Sequence, residues 1–215
     1  MIADITRQQI GGLSLSRRPL VICDVDEVVV HFTRHLEIFL GLRGLRLETS
    51  NFALNGNIRR KSDGHPVERA AIQKLIEEFF MDHAHGMHPI DGAVEALQHI
   101  GEVANIVLLT NLPHEAGALR RRNMADLGLA FPVVTNAGPK GPAVKSLAGL
   151  ADGAVVFIDD SPGFIASAFE HAPEVHLVHF LHDQRFARHA EALDYVSLRT
   201  GSWTEAKPHV LKLIG

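Results

Sequence analysis

One cysteine in 215 residues excludes an internal disulfide, and Cys23 lies in the apolar run LVIC, where a small buried side chain is expected. No apolar run approaches the roughly eighteen residues that a membrane-spanning helix needs. The opening segment, MIADITRQQIGGLSLSRRPL, lacks a continuous apolar stretch, so no secretory signal is expected and a soluble, cytoplasmic protein is anticipated. Charge of one sign is missing too. With 21 Lys+Arg against 25 Asp+Glu and a formal net charge of -4, nothing suggests nucleic acid or an acidic membrane as the main partner. The densest basic run, Arg120-Arg121-Arg122, reads as a solvated helix face. Repeats and low-complexity tracts are absent, and the chain is short for two full domains, so one core domain carrying a smaller insertion is expected.

Short runs rich in Val, Ile, Leu and Phe do recur, at 20–23, 105–109, 131–135, 154–158 and 175–180. Their length and composition predict buried strands. Most alternate with helical patterns, such as Val94, Leu97 and Ile100 after Pro89-Ile90-Asp91-Gly92, and Ile165, Ala168 and Phe169 after Ser161-Pro162. This rhythm predicts an α/β fold: a Rossmann-like, doubly wound parallel sheet covered on both faces. A helix over 187–193, a strand near 195–198 and a last helix over 203–214 complete the expected order. Residues 31–88 break the rhythm. Phe32, Leu36, Phe39 and Leu40 fall on one helical face, and Ile72, Leu75, Ile76, Phe79 and Phe80 on another. A small all-helical cap is expected there, inserted after the first strand into a core formed by 1–30 and 89–215.

In an open parallel sheet, ligands bind beyond the carboxyl ends of the strands. Four such positions carry chemistry: Asp24 and Asp26 after the first run, Thr110-Asn111 after the second, Lys140 after the third and Asp159-Asp160 after the fourth. Two acidic clusters, a hydroxyl and a lysine around one crevice suit phosphoryl transfer assisted by Mg2+, a hard cation that prefers oxygen ligands. The backbone amide of Asn111, at the start of the next helix, is favourably placed for an anion. Pro142 predicts a helix start, which favours Lys140 at the crevice over Lys145 one turn inside. His31 and Arg34, close in sequence to Asp24, are candidate substrate contacts. Arg59-Arg60-Lys61 with His65 reads either as a second anion site or as a solvated basic turn. His83, His85 and His88 have metal-ligand residue types but no predicted rigid element to fix them.

Taken in order, VICDVDEVV, IVLLTN, AGPKGP and VVFIDDSP resemble the four motifs of the haloacid dehalogenase (HAD) superfamily. The resemblance spans residues 19–180 and includes an insertion where that superfamily carries helical caps. It implies Asp24 as nucleophile, forming an aspartyl-phosphate, and Asp26 as general acid/base. It further implies Thr110, Asn111 and Lys140 on the transferred phosphoryl group, and a Mg2+ site from Asp24, the Asp26 carbonyl, Asp159 and Asp160. An aspartate two residues after the nucleophile matches phosphatases and phosphomutases rather than dehalogenases. The expected protein is therefore a Mg2+-dependent phosphatase of a small phosphorylated metabolite. A phosphomutase and a weakly active phosphometabolite-binding protein are the alternatives. The insertion with the IDDSP segment also looks somewhat like deoxyribonucleotidase-type members, and nucleotides, sugar phosphates and glycolate-like acids all stay open as substrates.

Overall fold

The LVIC run becomes the central strand because all four of its side chains are apolar and can be buried on both sheet faces at once. A computed structural model describes residues 2–215. Its elements are α1 (Asp4–Gly11), β1 (Leu20–Cys23), α2 (Phe32–Leu42), β2 (Leu45–Leu47), β3 (Ile58–Arg60), α3 (Arg69–His83), α4 (Ala93–Val103), β4 (Asn105–Asn111), α5 (Gly117–Asp126), β5 (Val133–Asn136), α6 (Gly141–Ala148), β6 (Val155–Asp159), α7 (Pro162–His171), β7 (His176–Phe180), α8 (Gln184–Ala187), β8 (Leu198–Thr200) and α9 (Trp203–Ile214). Six strands form one parallel sheet in the order β5-β4-β1-β6-β7-β8. The chain builds outward from β1 through β4 to β5, then crosses to β6 on the other side. That reversal opens a crevice at the carboxyl ends of β4, β1 and β6.

The strands' alternation sorts the core into two layers. Leu20 and Ile22 join Leu109, Val134 and Phe157 beneath α1, α6 and α7. Val21 and Cys23 face the other way with Leu108, Ile158 and Phe180, against α4, α9 and apolar residues of the 31–88 insertion. Trp203, at the first turn of α9, is buried and donates its indole N–H to the carbonyl of Val28 at 2.9 Å. The last helix thereby braces the loop that follows β1.

The insertion is not all-helical, as the sequence had suggested. Between α2 and α3, β2 and β3 form an antiparallel hairpin, pairing Leu45 with Arg60 and Leu47 with Ile58. Its connecting loop is organised by the buried Asn57, whose side-chain amide donates to the carbonyls of Asn51 (3.0 Å) and Ala53 (2.7 Å). The two links to the sheet run side by side: His31 N–H bonds the His88 carbonyl at 3.0 Å, and Ile90 N–H bonds that of Val29 at 2.8 Å.

Other departures have local causes. α1 was not anticipated. Of the helix expected over 187–193 only Ala187 is helical, as the end of the four-residue α8, and the strand expected near 195–198 forms as β8, at Leu198–Thr200. Phe169 is not on the inner face of α7 but exposed, stacked on Tyr195 with centroids 4.2 Å apart. Arg120 is not part of a solvated face: it is fully buried, while Arg121 and Arg122 are exposed. No helix among the described residues is long and apolar enough to cross a membrane.

Candidate active site

Asp24 leaves the sheet directly after β1. Its N–H bonds the carbonyl of Ile158 at 2.9 Å, which holds it level with the end of β6. The following turn is tight: the Val25 carbonyl accepts the amides of Val29 (2.8 Å) and Val30 (3.0 Å). Glu27 closes it in the left-handed region at φ 60°, with its carboxylate accepting from the Thr33 N–H (2.7 Å) and hydroxyl (2.6 Å). A non-glycine residue at such a φ is uncommon outside strained or functional sites.

Lys140, just ahead of α6, is fully buried with its ammonium 2.6 Å from Asp24 Oδ1 and 2.7 Å from Asp159 Oδ2. Of the two candidate lysines, Lys145 is exposed on α6 and does not reach this cluster. Asp159, the last residue of β6, also accepts the Ser161 N–H at 2.9 Å. The neighbouring Asp160 carbonyl accepts from His179 Nε2 at 3.0 Å. Across the crevice, Asp26 Oδ2 accepts the Thr110 hydroxyl at 3.2 Å and Oδ1 accepts Arg120 Nη2 at 2.5 Å. Asn111 ties β4 to β5: its Nδ2 donates to the Gly138 carbonyl at 2.8 Å, and its Oδ1 accepts from Asn136 at 2.9 Å.

Five carboxylates, Asp24, Asp26, Glu27, Asp159 and Asp160, face two buried cations, Lys140 and Arg120. Burial first, and the excess of negative charge second, sets the protonation equilibria. Burial pushes Asp159 up to about 7 even though Lys140 opposes it. Burial, with Asp159 and Asp24 close by, lifts Asp160 well above the usual carboxylate range. Asp26 is also raised by burial, against the pull of Arg120. Burial alone would weaken the base Lys140, yet Asp159 and Asp24 outweigh it and its ammonium is held more firmly than usual.

Asp24, Asp159 and Asp160 each offer a ligand atom, all within 4.8 Å of one another. Such an oxygen-only set with surplus negative charge fits a hard divalent cation such as Mg2+. The histidines at 83, 85 and 88 do not converge: His83 packs on Phe79, His85 is exposed, and His88 pairs with His35 at 3.1 Å. The basic turn is held locally, Arg59 by Glu48 at 2.7 Å and Arg60 by Asp63 at 3.1 Å.

His31 and Arg34 are not brought to the carboxylate cluster. They line a shallow hollow with His182 and Arg185, whose wall includes Glu27 but not Asp24, Asp26, Thr110 or Lys140. Between them, Phe32 lines a cavity of about 190 Å³ beside Asp160, with Phe52 and Leu54 from the hairpin loop and Phe186 from α8, and Thr33 borders both this cavity and the hollow. A wider cleft separates Ile72, Ile76 and Phe80 of α3 from Asn111, His114 and Asn136. Arg120 and Glu27 are the site-lining residues that motif reading missed.

No family model matches the sequence, and no curated protein is significantly similar to it. Solved structures do match its fold. A HAD family hydrolase from Deinococcus radiodurans with bound phosphate and sodium shares 17% identity at a TM-score of 0.60, covering 92% of this chain and 96% of that one. YfnB from Bacillus subtilis, a suggested HAD-hydrolase bound to magnesium, shares 13% identity at 0.59, covering 91% and 99%. A suggested phosphoglycolate phosphatase from Lactobacillus plantarum shares 13% identity at 0.56, covering 92% and 100%. The chain thus has the fold of the HAD hydrolases.

Proposed function

We propose that this protein is a phosphatase that hydrolyses a small phosphate monoester through an aspartyl-phosphate on Asp24. The observation that carries the reading is the Lys140 ammonium lying between Asp24 and Asp159 while Asp26, two residues on, is held by Thr110 across the same crevice. Asp24 Oδ attacks phosphorus, the bond from phosphorus to the ester oxygen breaks, and Asp26 protonates the departing alcohol. Asp26 then takes a proton from water as the water oxygen attacks phosphorus and the bond to Asp24 breaks, releasing phosphate. Lys140 and the Thr110 hydroxyl stabilise the charge on the phosphoryl oxygens. Asp24, Asp159, Asp160 and the Asp26 carbonyl would hold Mg2+, which would supply further positive charge near those oxygens. Residues 31–88 act as a cap whose Phe32, Phe52 and Leu54 contact the alcohol portion.

The test is phosphate release from p-nitrophenyl phosphate and from a panel of nucleotide, sugar and carboxylic-acid phosphates, with EDTA and then with added Mg2+. Metal-dependent turnover is expected, with Asp24→Asn reduced by about a thousandfold or more. No release from any member of the panel would overturn the proposal.

A further inference from the structure

We infer that Arg120 is a positioning residue that fixes the carboxylate of Asp26 in the crevice. The inference rests on the phosphatase reading, in which Asp26 is the acid/base. Arg120 is fully buried, and a guanidinium keeps its charge at any ordinary pH. A buried charge is tolerable only when paired, and its one carboxylate partner among the described residues is Asp26, at 2.5 Å. With Thr110 on the other oxygen at 3.2 Å, both carboxylate oxygens are engaged and the side chain is held in one orientation.

The guanidinium is itself wedged in place. Nη1 lies 3.4 Å from Met87 Sδ and 3.5 Å from Asn123 Oδ1, and the Phe80 ring centre is 5.9 Å away. Asn123, three residues along the same face of α5, donates to the Met87 carbonyl at 3.0 Å. Neither Arg120 nor Asn123 belongs to the four motifs. An apolar side chain would fill this space without desolvating a charge, so the pairing with Asp26 is what explains an arginine here.

Leaving-group dependence tests the role. A general acid matters greatly for an alkyl phosphate, whose alkoxide leaves poorly, and little for 2,4-dinitrophenyl phosphate, whose phenolate leaves unaided. Asp26→Asn supplies the reference. Because Asp26 also serves as the base in the second step, which is common to all substrates, the comparison is made on kcat/KM, which reports only the steps up to release of the alcohol. Arg120→Met is expected to lower it on β-glycerophosphate by about ten- to a hundredfold and on 2,4-dinitrophenyl phosphate by less than about threefold. Arg120→Lys should show the same selectivity in weaker form, and Arg120→Met should add no further loss in an Asp26→Asn background. Retained turnover of the dinitrophenyl ester certifies the fold. Should Arg120→Met not fold, Arg120→Lys decides by the same ratio. Equal losses on both substrates, or losses additive with Asp26→Asn, overturn the inference. If Asp26→Asn itself shows no leaving-group dependence, the acid/base reading fails and the inference falls with it.

Discussion

Lys140 Nζ stands 2.6 Å from Asp24 Oδ1, joining the residue after β1 to the residue that opens α6. The same ammonium reaches Asp159, so its removal strands two buried carboxylates together. Breaking a buried ion pair from one side typically destabilises by about 3–5 kcal/mol. Lys140→Met is therefore expected to lower Tm by on the order of 10 °C in EDTA. It should also reduce phosphatase turnover by about a hundredfold or more, because the charge facing the phosphoryl group is gone. Thermal unfolding and p-nitrophenyl phosphate assays check both. A variant with unchanged Tm would show that the carboxylates are already neutral in the metal-free protein.

The acidic cluster also predicts how stability follows pH. In the folded protein Asp159 is raised to about 7 and Asp160 well above the usual carboxylate range, both chiefly by burial, whereas the unfolded chain ionises both near 4, at roughly the model-peptide value. Between these limits the folded state keeps protons that the unfolded state has released, so stability declines as pH rises through that window. Asp63, held near 2 by Arg60, titrates below the window and does not mask the effect. In EDTA, the two aspartates should therefore lower Tm between about pH 5 and pH 7.5, against an opposing rise from His31, His35, His179 and His209, which burial holds below the usual histidine value. Asp160→Asn should flatten that decline and raise the metal-free Tm. Mg2+ should stabilise the native protein at neutral pH by binding the ionised folded form, and stabilise Asp160→Asn much less. If the native and Asp160→Asn proteins keep the same Tm difference across this window in EDTA, the assignment is wrong.

The strands and the order of the candidate residues were legible because burial on both faces of a parallel sheet demands unbroken apolar runs, and LVIC met that demand. Other features carried no such signal. β2 and β3 are three residues each and rich in arginine, too short for a period to emerge. The inner stripe of α5 is Gly117, Arg120, Asn123 and Met124; the spacing is helical, but only Met124 is a large apolar residue, so a search for apolar periodicity passes over it. His31 and Arg34 were placed by nearness in the chain. At the start of α2 the phase turns Phe32 toward the cavity instead, with Thr33 between the cavity and the hollow, and sequence distance does not encode that direction.

Gly141 follows Lys140 where α6 crosses α7. A Cβ there would lie 2.0 Å from the carbonyl oxygen of Ser167, a backbone atom that cannot swing aside. Gly141→Ala is expected to destabilise by about 1–3 kcal/mol, as overpacking does, and to lower kcat by shifting Lys140. Gly163, in the first turn of α7, has no contact closer than 3.7 Å. Gly163→Ala should be neutral or stabilising by up to about 1 kcal/mol. Chemical denaturation of the two variants side by side checks the contrast, and equal effects would mean the two helices separate readily.

Under the proposed function the cavity beside Asp160 takes the alcohol portion of the ester, so binding of the alcohol can be read apart from binding of the phosphate. Its aromatic wall includes Phe52 and Phe186, whose ring centres are 6.0 Å apart, one from the insertion and one from the core. Neither ring contributes a polar atom to the Lys140 and Asp26 clusters, so their contacts act equally on ground and transition states. Phe52→Ala is accordingly expected to raise KM for p-nitrophenyl phosphate by about tenfold, consistent with losing part of one aromatic contact, while kcat stays within about twofold. Inhibition by inorganic phosphate should be unchanged, because phosphate has no alcohol portion to contact the ring. If phosphate inhibition weakens in parallel with KM, Phe52 props up the catalytic loops rather than gripping the substrate, and the cavity is not where the alcohol binds.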